Sequence, residues 1–300
     1  MKTIAKLMIF TLMLLLATSV FAQEQGAQSA NEELKEAAVE ALISAPPERA
    51  LPLARKVLEG DNSDRIKEKA LFILSQIEDP AALQTLLEFA SDAGGPIQAE
   101  AIRMIGISGN DEGLAGLLPI YEQGDSEVRE AVLEALMIAD DKQSVFDIAM
   151  SAEGEDYENA VDMLGVMNAR DELRELRAQK GVSEALIDAY IVSDDSGSLR
   201  QLALDDSDPE IQAQAIEAMG VVGGDDAGPT LVQIYREAGT DEIREAALDG
   251  MLIADYDDGV LELYRSTEDP AEKKLLLERL VIMDSEEVWN LIDAALEGGL

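Results

Sequence analysis

Apolar residues recur along this chain at the spacing of one α-helical face, and short polar turns interrupt them. From Val128, apolar residues follow at i, i+3, i+4, i+7 and i+8, up to Leu136. Asp140 and Asp141 then interrupt the pattern, and a shorter apolar stretch begins at Val145. Each such unit predicts a first helix, a short turn and a second helix. Neither helix can bury its apolar face alone, so neighbouring units must supply the missing contact.

Part of this pattern occurs twice, about 114 residues apart. Residues 97–102 read IQAEAI, and residues 211–216 read IQAQAI. Residues 127–140 read EVREAVLEALMIAD, and residues 242–255 read EIREAALDGMLIAD. Within each copy the units follow a period of about 30 residues, which is typical of a stacked helical solenoid.

The pattern predicts an all-α fold, an α-solenoid of about nine stacked antiparallel helical hairpins. First helices are predicted near 32–44, 66–78, 97–107, 128–139, 157–167, 183–193, 210–221, 242–253 and 271–282. Second helices are predicted near 48–59, 81–92, 112–123, 142–152, 171–180, 198–204, 227–238, 257–266 and 285–297. Three of these helices have an acidic cap followed by proline, at Asp79-Pro80, Asp208-Pro209 and Asp269-Pro270.

Two of the units place an acid before the first helix and an arginine just inside it, and two others have glutamine at the arginine position. These residues are Asp125 with Arg129, Asp241 with Arg244, and Gln98 and Gln212. The units resemble HEAT repeats, in particular the short kind found in phycobilin-lyase-type HEAT-like proteins. In that family the acid and the arginine often pair between neighbouring units. Because HEAT-like arrays are mostly protein-binding scaffolds, the resemblance implies a protein partner bound on the concave surface, which the second helices line.

The N-terminus has the parts of a secretory signal peptide. Lys2 and Lys6 supply positive charge, residues 7–16 form an apolar run, and the predicted cleavage lies between Ala22 and Gln23. The apolar run is shorter than the roughly 20 residues that a membrane span needs. We therefore expect a periplasmic or secreted protein that is not inserted in a membrane after signal cleavage.

The remaining chain shows no long linker between its repeat units. After the signal peptide at 1–22, residues 23–30 are predicted to be a disordered segment and residues 31–300 a single solenoid domain. The first hairpin, 31–60, has no counterpart in the duplication and is predicted to cap the stack. Units 2–5 and units 6–9 are then the duplicated halves, with a seam near Gly181.

The composition narrows the chemistry. The chain has no cysteine and no histidine, which removes disulfides, thiolate nucleophiles and the usual zinc sites and catalytic triads. We therefore expect a protein that is not an enzyme and has neither a metal site nor a cofactor. With 62 acids and 23 bases the net charge is −39, and loss of two lysines with the signal peptide makes it −41. This charge disfavours nucleic acid and anionic membranes and favours a basic protein partner.

One dense basic stripe stands out in this acidic chain, on the second helix of the fifth unit. It consists of Arg170, Arg174, Arg177 and Lys180. Arginines on one helix face can hold a partner's carboxylate or phosphate, so the stripe is a candidate partner-binding site. The alternative is internal pairing with Asp171, Glu172, Glu175 and neighbouring acidic units.

Other candidates have structural interpretations. Tyr121 and Tyr235 occupy equivalent positions in the duplication, which favours core packing. Trp289 lies in the last hairpin, where we expect it to be packed as part of a cap. The oxygen-rich stretches 194–197, 205–208 and 255–259 lack the ligand spacing of an EF-hand and are predicted to be solvated turns and caps.

The leading hypothesis is an exported, non-catalytic scaffold that binds a protein partner. One alternative is an acidic structural or cation-binding envelope protein, for which the surface charge is itself the adaptation. The other is a phycobilin-lyase-like enzyme, against which the signal peptide and the absence of histidine weigh. Calcium titration tests the first alternative, and absorbance after incubation with a bilin tests the second.

We expect the exported protein to begin at Gln23, because a charged start, an apolar run and a small residue at Ala22 occur together. The intact mass of protein recovered from the periplasm or the medium of a bacterial host checks this. An uncleaved product that pellets with membranes would contradict it.

Overall fold

The computed structural model describes residues 31–205, 207–284 and 286–296. The predicted signal peptide, its cleavage site and the predicted disordered segment at 23–30 lie outside the described residues. No helix in the described part of the chain is both long and apolar enough to cross a membrane. The chain divides into two compact units between Ala139 and Asp140.

The unit up to Ala139 consists of helices joined by short turns. They are α1 (31–40), a 3₁₀ turn (Ala41–Ser44), α2 (Pro47–Glu59), α3 (Asp64–Ser75), α4 (Pro80–Asp92), α5 (Gly95–Ser108), α6 (Asp111–Gln123) and α7 (Ser126–Ile138). The first helices α3, α5 and α7 pack side by side in chain order. The second helices α2, α4 and α6 form a parallel layer against them, so each apolar face is covered by a neighbouring hairpin.

The unit from Asp140 repeats this arrangement. Its helices are α8 (Lys142–Ser151), α9 (Glu155–Val166), α10 (Arg170–Lys180), α11 (Glu184–Val192), α12 (Ser196–Ala203), α13 (Pro209–Glu237), α14 (Asp241–Ile253), α15 (Asp257–Ser266), α16 (Pro270–Ile282) and α17 (Glu286–Leu296). Helix α9 packs on α11, α11 on the start of α13, and α13 on α14. Successive first helices are therefore neighbours here as well.

No strand occurs in the residues that the structure describes, so the predicted all-α class is confirmed. Most helix ends fall within a few residues of the prediction. The two helices predicted at 210–221 and 227–238 both form within α13 and meet at Gly224, which departs from helical geometry with φ 45° and ψ −137°. The chain reverses at this one residue because glycine adopts positive φ without steric penalty. The prediction of a single domain over 31–300 stays a prediction.

The core consists of aliphatic side chains at the predicted helical spacing. On α5, Ile102 and Ile105 are fully buried, and on α7 Val132 and Leu136 are fully buried. Each such side chain contributes about 1.5–3 kcal/mol through its removal from water. Tyr121 and Tyr235 are also buried, as their equivalence in the duplication predicts, and the second is only 2% exposed.

The last hairpin departs from the prediction. Trp289 is 57% exposed, so its expected role as a packed cap is wrong. The residue next to it on α17, Val288, is fully buried and takes the inward position. Adjacent residues on a helix point about 100° apart, so only one of the two can face the neighbouring helices.

Acidic caps begin the helices where the Asp-Pro pairs predict them. Asp79 Oδ1 accepts a hydrogen bond from the Ala81 amide at 2.8 Å, and Asp269 Oδ1 accepts one from Ala271 at 3.1 Å. Asp208 caps α13 in the same way. These carboxylates satisfy amides that the first helical turn leaves unpaired, and their charge opposes the positive end of the helix dipole.

The arginine and glutamine at the HEAT-like signature position have a shared role. Gln98 Nε2 donates to the Ala90 carbonyl at 2.8 Å, Gln212 Nε2 to Ala203 at 3.1 Å, and Arg129 Nε to Tyr121 at 3.3 Å. Each acceptor lies near the C-terminal end of the preceding second helix, where carbonyls lack a helical partner. An uncharged amide can satisfy such a carbonyl, which explains why glutamine replaces arginine.

The remaining arginine at this position, Arg244, pairs differently from the expected pairing between neighbouring units. Arg244 Nη1 binds Asp241 at 2.9 Å within its own helix. Its guanidinium also lies 5.9 Å from the centroid of the Tyr235 ring on the preceding second helix. In this unit the acid and the arginine therefore pair locally, at i and i+3.

Glycine sets the distance between two pairs of first helices. A Cβ atom on Gly106 would lie 2.5 Å from the Ala135 carbonyl oxygen, and one on Gly220 would lie 2.5 Å from the Gly250 oxygen. Both neighbours are backbone atoms, which cannot rotate away. The two glycines are equivalent in the duplication, so the close approach of the backbones is repeated with the sequence.

We expect Gly220→Ala to destabilise the fold by about 1–2 kcal/mol, because overpacking against backbone outweighs the gain in helix propensity. Thermal unfolding followed by circular dichroism measures the effect. The matched control is Gly197→Ala on α12, where the nearest atom lies at an ordinary 3.4 Å. That control should be neutral or stabilising, and equal loss in both variants would contradict the packing argument.

Candidate functional site

The predicted basic stripe lies on α10, whose inner face is fixed by Leu173 and Leu176, both fully buried. The helix follows Asn168, which has positive φ and turns the chain after α9. With the two leucines inward, the basic side chains point along and across the neighbouring helices of the same unit. The structure therefore brings the stripe together as predicted, and the contacts of each side chain show what it holds.

Arg174 forms the strongest contact of the stripe. Its Nη2 lies 2.8 Å from Asp195 Oδ2, its Nε donates to Ser198 Oγ at 3.3 Å, and its Nη1 lies 3.3 Å from Asp171 Oδ1. Asp195 is only 3% exposed, so it is a buried, paired carboxylate. The prediction of a solvated turn and cap is therefore right at Asp195 about the cap and wrong about its exposure to solvent.

Asp195 also begins α12. Its Oδ1 accepts from the Ser198 amide at 3.1 Å, and its Oδ2 accepts from the Ser198 hydroxyl at 2.8 Å. Burial alone would raise the pKa of Asp195, but the Arg174 guanidinium and the Ser198 hydroxyl and amide together hold that pKa below its usual value. One carboxylate therefore caps one helix and ties it to another.

Arg170 and Lys180 bind backbone carbonyls. Arg170 Nε donates to Asn168 Oδ1 and to the Ser193 carbonyl at the end of α11, both at 2.8 Å. Lys180 Nζ donates to the carbonyls of Ala149 and Ala152 at the end of α8, at 3.1 and 2.8 Å. A cation at the C-terminal end of a helix satisfies free carbonyls and complements the helix dipole.

Arg177 is the least engaged member of the stripe. Its Nη1 donates to Gln201 Oε1 at 3.4 Å, and this is the single hydrogen bond of its side chain in the described part of the chain. The structure thus favours internal contacts for three members of the stripe and leaves Arg177 the best placed to meet a partner. Binding by the stripe stays a prediction.

A groove of about 610 Å³ lies beside the C-terminal ends of α13 and α15. Tyr235 donates its hydroxyl hydrogen to Glu272 Oε1 at 2.9 Å, and the hydroxyl of Thr267 hydrogen-bonds to the other carboxylate oxygen. Burial, followed by the bond to Glu272, raises the pKa of Tyr235 above its ordinary value. The groups in this groove bind one another, which favours a structural role.

Acidic side chains do not gather into a metal site in the described residues: no group of three or more histidine, cysteine, aspartate or glutamate side chains is arranged to hold an ion. This covers the stretches at 194–197 and 255–259. Asp194 and Asp255 both have positive φ at the ends of helices, so they form turns there.

Two segments of the sequence, residues 24–97 and 194–251, match the profile of HEAT repeats. These two segments of the chain are similar to HEAT repeats. The predicted fold, a HEAT-like α-solenoid, is thereby confirmed. The second matched segment includes Asp195, the partner of Arg174, and the helix α12 that Asp195 caps. Among curated proteins, no significant relative of the chain is found.

Solved structures with a similar fold include the CpcE–CpcF complex of phycocyanin lyase from a Nostoc species, at 19% identity over 86% of this chain and 96% of that chain, with a TM-score of 0.33. Human deoxyhypusine hydroxylase in complex with glycerol is 18% identical over 83% of this chain and 90% of that one, with a TM-score of 0.35. An engineered protein is 17% identical over 70% of this chain and 97% of that one, with a TM-score of 0.26.

We expect Arg174→Gln to destabilise the fold by about 1–2 kcal/mol at neutral pH, because it leaves the buried Asp195 carboxylate without its charged partner. The half-exposed position of Arg174 keeps the loss below that of a fully buried pair. The matched control is Arg200→Gln on α12, an exposed arginine whose side chain forms neither a hydrogen bond nor an ion pair within the described residues.

The same variant should show a pH signature. The pKa of folded Asp195 is lowered, so its stabilisation is present above the unfolded value of about 3.9 and is lost as the pH falls through the folded value. Thermal melts at pH 7 and near pH 3 should therefore show a smaller difference between wild type and Arg174→Gln at the lower pH. An equal difference at both would contradict the ion-pair explanation.

Proposed function

We propose that this chain is an exported, non-catalytic HEAT-repeat scaffold that binds a protein partner on the concave surface lined by its second helices. HEAT repeats at two regions of the chain support the scaffold role, since such arrays present extended binding surfaces. The signal-like sequence at 1–22 supports export. The absence of histidine and cysteine, together with the mutual bonding of Tyr235 and Glu272, supports a non-catalytic role.

A basic partner is favoured because the basic residues of this chain are engaged in ion pairs between its own helices. Arg55 on α2 lies 2.8 Å from Glu88 on α4, and Arg236 on α13 lies 2.6 Å from Glu262 on α15. These pairs join successive second helices, as the pair of Arg174 with Asp195 does. Basic side chains that pair between neighbouring helices are not available to neutralise acids elsewhere on the surface. The surface therefore keeps a large excess of negative charge.

An acidic surface of this kind favours a partner that carries exposed lysine or arginine. Charge complementarity accelerates the encounter with such a partner and suppresses binding to acidic ones. Among the residues of the second helices, Arg177 is proposed to contact the partner. It would bind a single carboxylate on a partner surface that is otherwise mostly basic. This fits a protein better than a nucleic acid, whose phosphates the surrounding acids would repel.

We expect the purified chain from Gln23 onward to capture a specific protein from an envelope extract of its source, and the purified partner to bind at a fixed stoichiometry in calorimetry. Affinity should fall as salt rises, because screening shortens electrostatic attraction from a range of about 10 Å at 0.1 M to about 3 Å at 1 M. An unrelated acidic protein of similar net charge serves as the control bait.

Arg177→Glu tests the concave surface, since Arg177 has a single weak bond to lose. The variant should keep its melting temperature and lose partner affinity by about tenfold, as expected for one charged contact of about 1.4 kcal/mol. Lys274→Glu, at an exposed position of the first helix α16, is the control for the added charge. No capture above that of the control bait would overturn the scaffold proposal.

A further inference from the structure

The outward face of the first helices carries a repeated pattern of three residues. An acid lies at i, a second acid at i+4 and an aliphatic residue at i+8, so that all three share one helix face. We name this set the outer triplet. In the unit from Asp140 the outer triplets are Glu158/Asp162/Val166 on α9, Glu184/Asp188/Val192 on α11 and Glu245/Asp249/Ile253 on α14, and α13 keeps the last two members as Glu217/Val221.

The aliphatic members form a row on adjacent helices. Val166 is 60% exposed, Val192 59%, Val221 56% and Ile253 49%. A single exposed aliphatic side chain needs no explanation, because much of any protein surface is apolar. Four at the same position of four neighbouring helices form an apolar strip, and strips of this kind mark interaction sites.

The acidic members form a second row beside the apolar strip. On α9 and α11, neither Glu158, Asp162, Glu184 nor Asp188 forms an ion pair within the described part of the chain. Partial burial, then Asp188 and Glu158, raise the pKa of Asp162 above its ordinary value. The two helices therefore place like charges next to each other, and these charges lack a counterion.

The chain itself shows how a base binds such a pair. On α14, Asp249 lies 3.1 Å from Arg279 Nη1 and Glu245 lies 3.8 Å from Arg279 Nη2, with the arginine supplied by the neighbouring α16. In the other unit, Arg65 on α3 lies 2.7 Å from Glu36 on α1. A basic side chain on an adjacent helix can thus bind the acidic pair of an outer triplet.

Spacing selects the shape of the partner. Neighbouring packed helices lie about 8–10 Å apart, and two turns of an α-helix rise about 11 Å. A helix lying across the first helices would therefore meet each outer triplet with residues about seven apart. An extended strand places same-face residues about 6.6 Å apart and falls out of step within two repeats.

We propose that the outward face of α9, α11, α13 and α14 docks a cationic amphipathic α-helix of the partner protein. Lysine or arginine along one edge of that helix binds the outward acids of α9, α11 and α13, because Arg279 already binds those of α14. Aliphatic residues along the next edge cover the strip from Val166 to Ile253. This inference rests on the proposed scaffold function, names the partner's chemistry, and adds a surface to the one that the second helices line. An anionic membrane, the other apolar and charged surface, is repelled by the same acids.

The probe is a synthetic helix of four heptads with leucine and lysine at heptad spacing on adjacent edges and alanine and glutamine elsewhere. Its control peptide has the same composition in an order that breaks the heptads. We expect the heptad peptide to bind at least about tenfold more tightly at 0.15 M salt, because only it can meet successive triplets. Equal binding of both peptides would reduce the effect to general charge attraction and overturn the proposal.

Two sets of variants locate the site. Val166→Ser with Val192→Ser removes part of the apolar strip without a change in charge, and its control is Leu204→Ser, a 51% exposed aliphatic residue at the end of α12. Glu158→Gln with Asp162→Asn removes two charges, and its control is Glu175→Gln with Asp147→Asn on second helices. Each face variant should weaken heptad-peptide binding about tenfold and each control less than about twofold.

Folding is checked by the helical spectrum and the melting temperature. The melting temperature should not fall when the Asp162 charge is removed, because Asp188 and Glu158 repel that charge. Loss of peptide affinity in face and control variants alike would overturn the assignment to this face. The same variants are then tested with the partner captured in the scaffold experiment. A partner that binds wild type and face variants equally refutes this inference and leaves the scaffold function standing, whereas no partner for wild type refutes the function itself.

Discussion

The structure depends on the fact that no hairpin of this chain can bury its own apolar surface. Ile102 and Leu136 lie on different first helices, and each is fully buried only because a neighbouring helix covers it. Close approach of the backbones at Gly106 and Gly220 fixes the distance at which this burial occurs. Stability is therefore a sum of interfaces between neighbours, as in other repeat proteins, and the outward faces of the helices are left free to vary.

The large negative charge of the chain opposes this stacking. The few basic side chains counteract the repulsion because they form ion pairs between neighbouring helices. Arg55, Arg174 and Arg236 each join a second helix to its neighbour through a carboxylate. Exposed pairs of this kind contribute less than about 1 kcal/mol each, and the pair with the buried Asp195 contributes more because the carboxylate is shielded from water. The basic stripe on α10 belongs to this system of contacts, which is why its density in sequence does not by itself make it a binding site.

The same use of bases shapes the candidate interaction surfaces. Where Arg279 reaches Glu245 and Asp249, an acidic pair is neutralised within the chain. Where no base of the described residues reaches Asp162 and Asp188, the charges remain beside an exposed aliphatic strip. A cationic amphipathic helix would supply to those helices the ion pairs that Arg279 supplies to α14, and it would also cover the exposed aliphatic strip. The proposed docking face would therefore use the same kind of ion pair between adjacent helices that the fold itself uses.

The all-α class, the repeated helices and most of the helix ends could be predicted from the sequence, because a helical period of apolar residues and Asp-Pro caps are local signals. It also predicted the buried roles of Tyr121 and Tyr235 from the duplication. Only the tertiary structure decided that Asp195 is buried and paired with Arg174, that Trp289 is exposed, and that the outer triplets lie side by side. Those properties depend on which residues meet across helices distant in sequence, and no local pattern specifies that distance or orientation.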